Sequence, residues 1–221
     1  MLIRTNGRLA DATNGYSSVR HSADAAGGGR IEARMPGTKR LFVLRHAKSS
    51  WDNPGLEDHE RPLAPRGQRA CSVMAEHIRA TGIEPELVLC SSSRRTRETL
   101  QGVDPRGERV IEDELYSATA QGVLDRLHQV PDSVGSVMLI GHNPASQMLV
   151  LRLSRRDDGS AAGPERTEVE RKFPTGALAT LTFEGTWSEL ASGGARLTEF
   201  LTPRKLSEAG PGDGAARAHR A

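Results

Sequence analysis

From residue 40 onward the chain alternates short, unbroken apolar runs with stretches in which apolar residues recur every three or four positions. The run RLFVL (40–44) is solidly apolar, the pattern of a strand buried on both faces. It is followed by RGQRACSVMAEHIRATG (66–82), where Ala70, Val73, Met74, His77 and Ile78 share a helical stripe and Gly82 supplies a stop. ELVLCSS (86–92) predicts a second strand leading into a helix that begins within RRTRETLQG. RVIEDELY predicts a short strand and TAQGVLDRLHQV a helix. SVMLIGHNP (136–144) is another apolar strand, broken at Gly141, with Asn143 and then Pro144 as cap and first-turn residues for the helix ASQMLVLRL. Residues 154–172 are charged and contain glycine, which predicts a loop; GALATLTFEG and ARLTEFLTP then predict two strands joined around Trp187. Strand and helix in repeated alternation imply an α/β fold: one three-layer sandwich, with a mainly parallel sheet and helices on both faces.

The two ends break this pattern. Residues 1–38 are rich in Gly, Ala, Ser and Arg without periodicity and predict a flexible arm; Met35, just before the first strand, is a candidate for the natural start of translation. A frayed tail is expected over 207–221, leaving one domain over 39–206. Composition excludes more than it selects. A formal net charge of +2 gives no broad basic field, so nucleic acid is not an expected partner. No apolar run approaches a bilayer's thickness, and Cys71 and Cys90 make neither a disulfide framework nor a zinc site. A reduced, cytoplasmic monomer that meets no membrane is expected.

The chemistry is concentrated where strands end. In open α/β sheets ligands bind beyond the carboxyl ends of the strands. Here one such end carries Arg45 and His46, a second Ser91 and Ser92 with Arg94 or Arg95 in the following helical turn, and a third Gly141, His142 and Asn143. Two arginines, two histidines and a helix N-terminus suit a phosphoryl dianion, and no acidic residue stands among them to hold a metal. The residue six after Cys90 is Thr96, whereas a cysteine phosphatase loop requires arginine there, so a thiolate mechanism does not fit.

Together LRHAKSSW, LCSSSRRTRETL and LIGHNP resemble the histidine phosphatase superfamily, specifically its small SixA-type phosphohistidine phosphatases, with further similarity in RPLAPRGQRA, FPTGALATL and FLTPRKL. The resemblance covers residues 40–206 and implies a phosphoglycerate mutase-like fold with no cofactor and no metal. It makes His46 the nucleophile that accepts the phosphoryl group, and Arg45, Arg95 and His142 the groups that hold its oxygens. Ser92, Asn143 and Lys48 are assigned to substrate binding, although Lys48 would equally suit a position facing water. Arg94 exchanges roles with Arg95 if the register slips by one residue. Two guanidinium charges beside His46 are expected to favour its neutral, nucleophilic form.

Family members that act on alkyl phosphates carry a glutamate acid in a helical insertion between the second and third motifs. This chain has about forty residues there, too few for such a lid. Asp113, Glu114, Asp52 and Asp58 are candidate acids, none distinguished by its context, and His59 and His128 have no supporting context. Imidazole leaves more readily than an alkoxide and needs less help from an acid, which favours phosphohistidine on a protein as substrate. A small metabolite or nucleotide phosphate is the alternative within enzymes, and a non-catalytic phosphate-binding module the alternative outside them.

Overall fold

The computed structural model describes residues 37–155 and 163–209. The expected arm lies outside these residues apart from Gly37 and Thr38, as does the expected tail beyond Ala209. In chain order the elements are β1 (Lys39–Arg45), a 3-10 turn (Asp58–Glu60), α1 (Pro65–Ala80), β2 (Leu87–Ser91), α2 (Arg94–Val103), β3 (Glu108–Glu112), α3 (Ala120–Leu127), β4 (Ser136–Gly141), α4 (Ala145–Leu153), α5 (Pro164–Arg171), β5 (Leu178–Phe183), β6 (Arg196–Leu201) and α6 (Pro203–Ala209). One six-stranded sheet has the order β3-β2-β4-β1-β5-β6. Strands β3, β2, β4 and β1 are parallel, whereas β5 and β6 run antiparallel to their neighbours.

The solid apolar runs are solid because the parallel strands are covered on both sides. On β1, Leu41 and Val43 face one core while Phe42 and Leu44 face the other. On β4, Val137 and Leu139 oppose Met138 and Ile140 in the same way, and on β2, Leu87 and Leu89 oppose Val88 and Cys90. Helices α3, α4 and α5 cover the first core together with the fully buried Trp187, whose indole N–H donates to the Val134 carbonyl. Helices α1 and α2 cover the second. Burying one large aliphatic side chain contributes about 1.5–3 kcal/mol, so these two cores account for most of the driving force.

Three details differ from the sequence reading. On α1 the buried face carries Gly67, Cys71, Met74, Ala75, His77 and Ile78, so the stripe is rotated away from Ala70 and Val73. The expected loop over 154–172 contains α5. That helix was hidden because its buried residues are Val169 and Arg166, the latter donating to the carbonyls of Leu151 and Ser154, and one apolar residue makes no periodicity. Helix α6 carries the chain past the Ser207 boundary expected for the tail.

The loop after β1 is clamped to the start of α1. The Ala64 N–H donates to the Lys48 carbonyl at 2.8 Å, and Ser49 bridges to Leu63. Gly67 makes this approach possible, because a Cβ there would stand 2.2 Å from the Lys48 carbonyl oxygen. Gly67→Ala must therefore push the helix off the loop, at a cost of about 1–3 kcal/mol. Thermal unfolding should show a melting point lower by several degrees; an unchanged one would mean that this contact yields freely.

Candidate active site

The four parallel strands β3, β2, β4 and β1 deliver their carboxyl ends to the same side. Arg45 lies opposite Gly141 across β1 and β4, and Cys90 opposite Ile140 across β2 and β4, so the three polar strand ends emerge side by side. The His46 N–H donates to the Gly141 carbonyl at 3.0 Å, extending the ladder one residue past the strand. On the other side Gly176 donates its N–H to the carbonyls of Arg45 and His46 at 3.1 and 3.0 Å, from a backbone with φ of 77° that glycine adopts without strain. The next residue, Ala47, is fixed by donating its N–H to the Thr99 hydroxyl of α2.

The imidazole of His46 is buried, and its Nδ1 lies 2.8 Å from the Ala47 carbonyl oxygen. A carbonyl can only accept, so Nδ1 carries the proton and Nε2 keeps its lone pair. Burial lowers the pKa of His46 to about 3, with His142, Arg95 and Arg45 adding in the same direction against the Ala47 hydrogen bond. Desolvation, rather than the arginine charges expected from sequence, is the main cause of neutrality. His142 packs with its ring centroid 5.1 Å away and its Nε2 sharing a hydrogen bond of 2.8 Å with the Ser91 hydroxyl. Burial and then the Arg95 charge lower its pKa to about 4.

Arg45 donates from Nη1 to the Phe173 carbonyl, and Asn143 donates its amide to that carbonyl and to Gln147. Asn143 therefore does not cap α4, whose N-cap is Pro144, because its side chain is drawn towards the Phe173 carbonyl and Gln147. Arg95, buried in the first turn of α2, has Nη1 on the Asp58 carbonyl and Nη2 on the Asp58 carboxylate at 2.9 Å. Arg94 points outward to Glu98, whose carboxylate also accepts from the Leu63 N–H. Ser92 is buried beside the site, and Lys48 is half-buried on the clamped loop. Arg45 Nε, His142 Nδ1, Asn143 Oδ1 and Ser146 Oγ are buried without hydrogen-bond partners. Unmet polar atoms are unusual in a folded core; others lie on Arg61, His77, Arg166 and Thr180, but these four stand together at or just beyond the ends of β1 and β4, where a ligand would complete the bonding.

The sequence model of the histidine phosphatase superfamily (branch 1) matches residues 41–122. An uncharacterised protein of Mycobacterium tuberculosis is 36% identical over 163 residues, which is 73% of this chain and 100% of that protein. Two solved structures provisionally labelled phosphohistidine phosphatase SixA superpose well. The one from Nakamurella multipartitia has a TM-score of 0.69 at 29% identity, covering 76% of this chain and 98% of that one. The one from Agrobacterium tumefaciens has a TM-score of 0.62 at 30% identity, covering 75% and 99%. The chain belongs to the histidine phosphatase superfamily. Membership supports a phosphatase activity.

Within this superfamily site, Tyr116 and His59 went unassigned in the sequence, and Asp58 has a different part from the one expected. Asp58, one of four undistinguished candidate acids, is the partner of Arg95 and of the Tyr116 hydroxyl, which donates to its Oδ2 at 2.8 Å. Desolvation, the largest single effect, raises the pKa of its carboxyl, but the Tyr116 and Arg95 hydrogen bonds and the Arg95 and Arg61 charges together outweigh it and hold the carboxyl below the usual range, so it is ionised. Tyr116 stands edge-on to His142 at 5.6 Å and to His59 at 4.8 Å. Asp113, Glu114 and Asp52 are exposed, and His128 serves structure by bonding to the Leu190 carbonyl. Only the position of Tyr116 just beyond β3, another strand ending on the same side, was a signal available in the sequence.

Neutral burial of two imidazoles has a thermodynamic consequence. In the unfolded chain both titrate near 6.5, whereas folded they resist protonation down to about 3 and about 4. Unfolding therefore takes up protons below pH 6.5, and stability is lost as the pH falls from there towards the folded values. Each group contributes at most about 1.4 kcal/mol per pH unit. His46→Asn should flatten the loss of stability seen by urea unfolding between about pH 6 and about pH 4.5. An unaltered slope would contradict the neutral burial of His46.

Proposed function

We propose that the protein is a metal-independent phosphatase that works through a covalent phosphohistidine on His46, with phosphohistidine on a protein as its substrate. The observation that carries this reading is the state of His46, a neutral imidazole whose proton is held on Nδ1 by the Ala47 carbonyl, leaving the Nε2 lone pair to attack phosphorus. Arg45, Arg95 and His142 hold the oxygens of the transferring group, with Ser92, Asn143 and Lys48 at its edge. Phosphoryl transfer asks mainly for positioning and for preorganised charge against the equatorial oxygens, which these side chains supply. Arg95 has two of its nitrogens on Asp58, and its remaining donors serve the phosphoryl group.

The preference for phosphohistidine rests on the open site. Between α2 and α3 the chain forms only β3 and the turn over 113–119, so no helical lid encloses a small substrate. A site without such a lid suits a phosphorylated side chain presented on another protein, and the SixA label of the two solved relatives fits that substrate. We assign the activity to the segment 39–206, acting as a monomer in the cytoplasm.

A panel of phosphohistidine protein, sugar phosphates and nucleotides tests the substrate class directly, and the histidine phosphoprotein should give the highest kcat/KM. A sugar phosphate or nucleotide turned over faster would select the metabolite reading. Excess EDTA should leave the rate unchanged, and inhibition reversed by magnesium would contradict the metal-free mechanism. Arg95→Ala and His142→Ala should each lower kcat by about 10²- to 10³-fold, the scale for losing one preorganised donor. Arg94→Ala should do far less, because its guanidinium is committed to Glu98.

A further inference from the structure

Transfer from a substrate to His46 leaves a departing nitrogen or oxygen that must be protonated, and the groups nearest the nucleophile are poor donors. Asp58 is ionised and engaged by Arg95 and Tyr116. His142 is held neutral beside Ser91. Cys90 is wholly buried, with its thiol pushed up to about 12 by desolvation. His59 is different. The 3-10 turn Asp58–Glu60 sets it between Asp58, the partner of Arg95, and Glu60 on the exposed rim. Its Nε2 lies 3.0 Å from the hydroxyl of Ser92, the residue after the serine that meets His142. Its Nδ1 lies 2.7 Å from the Glu60 carboxylate. Its ring stands edge-on to Tyr116, which stands edge-on to His142, which packs on His46, so four rings form one wall running from the nucleophile to the rim. With a third of its side chain exposed, His59 occupies the rim end of that wall, where a leaving group would depart.

We propose that His59 is the general acid that protonates the leaving group, with Glu60 orienting its ring; the inference rests on the phosphatase reading above. An ionised carboxylate can only accept, so Glu60 holds a proton on Nδ1 and directs Nε2 inward. In the first step the His46 Nε2 lone pair forms a bond to phosphorus as the bond from phosphorus to the leaving atom breaks, and the Nε2 proton of cationic His59 passes to that atom. In the second, the now neutral Nε2 of His59 takes a proton from water as the water oxygen bonds to phosphorus and the bond to His46 breaks. This second proton transfer restores cationic His59, and the net reaction is hydrolysis to phosphate and the protonated leaving group.

An acid matters most when the leaving group is poor, so the test is a ratio measured within each variant, which cancels any loss of folded protein. Rates with 4-nitrophenyl phosphate and phenyl phosphate, esters of similar shape, are compared for wild type, His59→Asn and Glu60→Gln. His59→Asn should raise the nitrophenyl-to-phenyl rate ratio by about 10²-fold, the lower end of what a general acid supplies. Glu60→Gln should raise it by a smaller factor. A ratio left unchanged by His59→Asn, while the wild type still forms phosphorylated His46, would overturn the role of His59 alone. Failure of the wild type to hydrolyse either ester would overturn the phosphatase reading and this inference together.

Discussion

The backbone of His46 is gripped from both sides at the middle of the sheet, and the rest of the site depends on that grip. Its N–H bonds to Gly141 at the end of β4, its carbonyl accepts from Gly176 before β5, and its ring bonds to the next carbonyl in the chain. These contacts fix backbone position, ring direction and tautomer, so little has to be ordered when a substrate arrives. They are possible only because β1 lies between a parallel and an antiparallel neighbour, and because Gly176 accepts a positive φ. The apolar runs that build the two cores therefore also aim the imidazole of His46.

Around this fixed point the protein assembles polar groups that folding alone would not favour. Two imidazoles are kept neutral by burial, two arginines converge, and several donors and acceptors find no partner within the chain. Burying an unpaired polar group costs about 1–3 kcal/mol, an expense that the covered sheet offsets with its large apolar area. Asp58 moderates the arrangement. By holding two nitrogens of Arg95 it limits the repulsion between Arg95 and Arg45, and the Tyr116 hydroxyl adds a donor to the same carboxylate.

Much of this was legible in the chain because burial on both faces leaves continuous apolar runs, and because each run ends abruptly in polar residues of one kind. Arg45, His46, Arg95 and His142 could be read from those endings, and the register that chose Arg95 over Arg94 agrees with the outward ion pair of Arg94. What was not legible depends on long-range folding. Asp58 and His59 lie in a 3-10 turn with no buried residue, so no periodicity marks them, and they meet Ser92 and Arg95 only through the chain's return. Helix α5 escaped because it buries a hydrogen-bonded arginine in place of an apolar stripe. The capping role given to Asn143 failed because donation from its Nδ2 to Gln147 and the Phe173 carbonyl fixes the side chain with Oδ1, the atom a cap needs, away from any helix N–H.

Rapid quenching of wild-type protein with a labelled aryl phosphate, followed by peptide mapping under alkaline conditions, asks whether phosphorus passes through His46. The account predicts an acid-labile, base-stable phosphate on His46 that forms within one turnover, and no trapped phosphate with His46→Ala. Phosphate on another residue, or full turnover by His46→Ala, would contradict it.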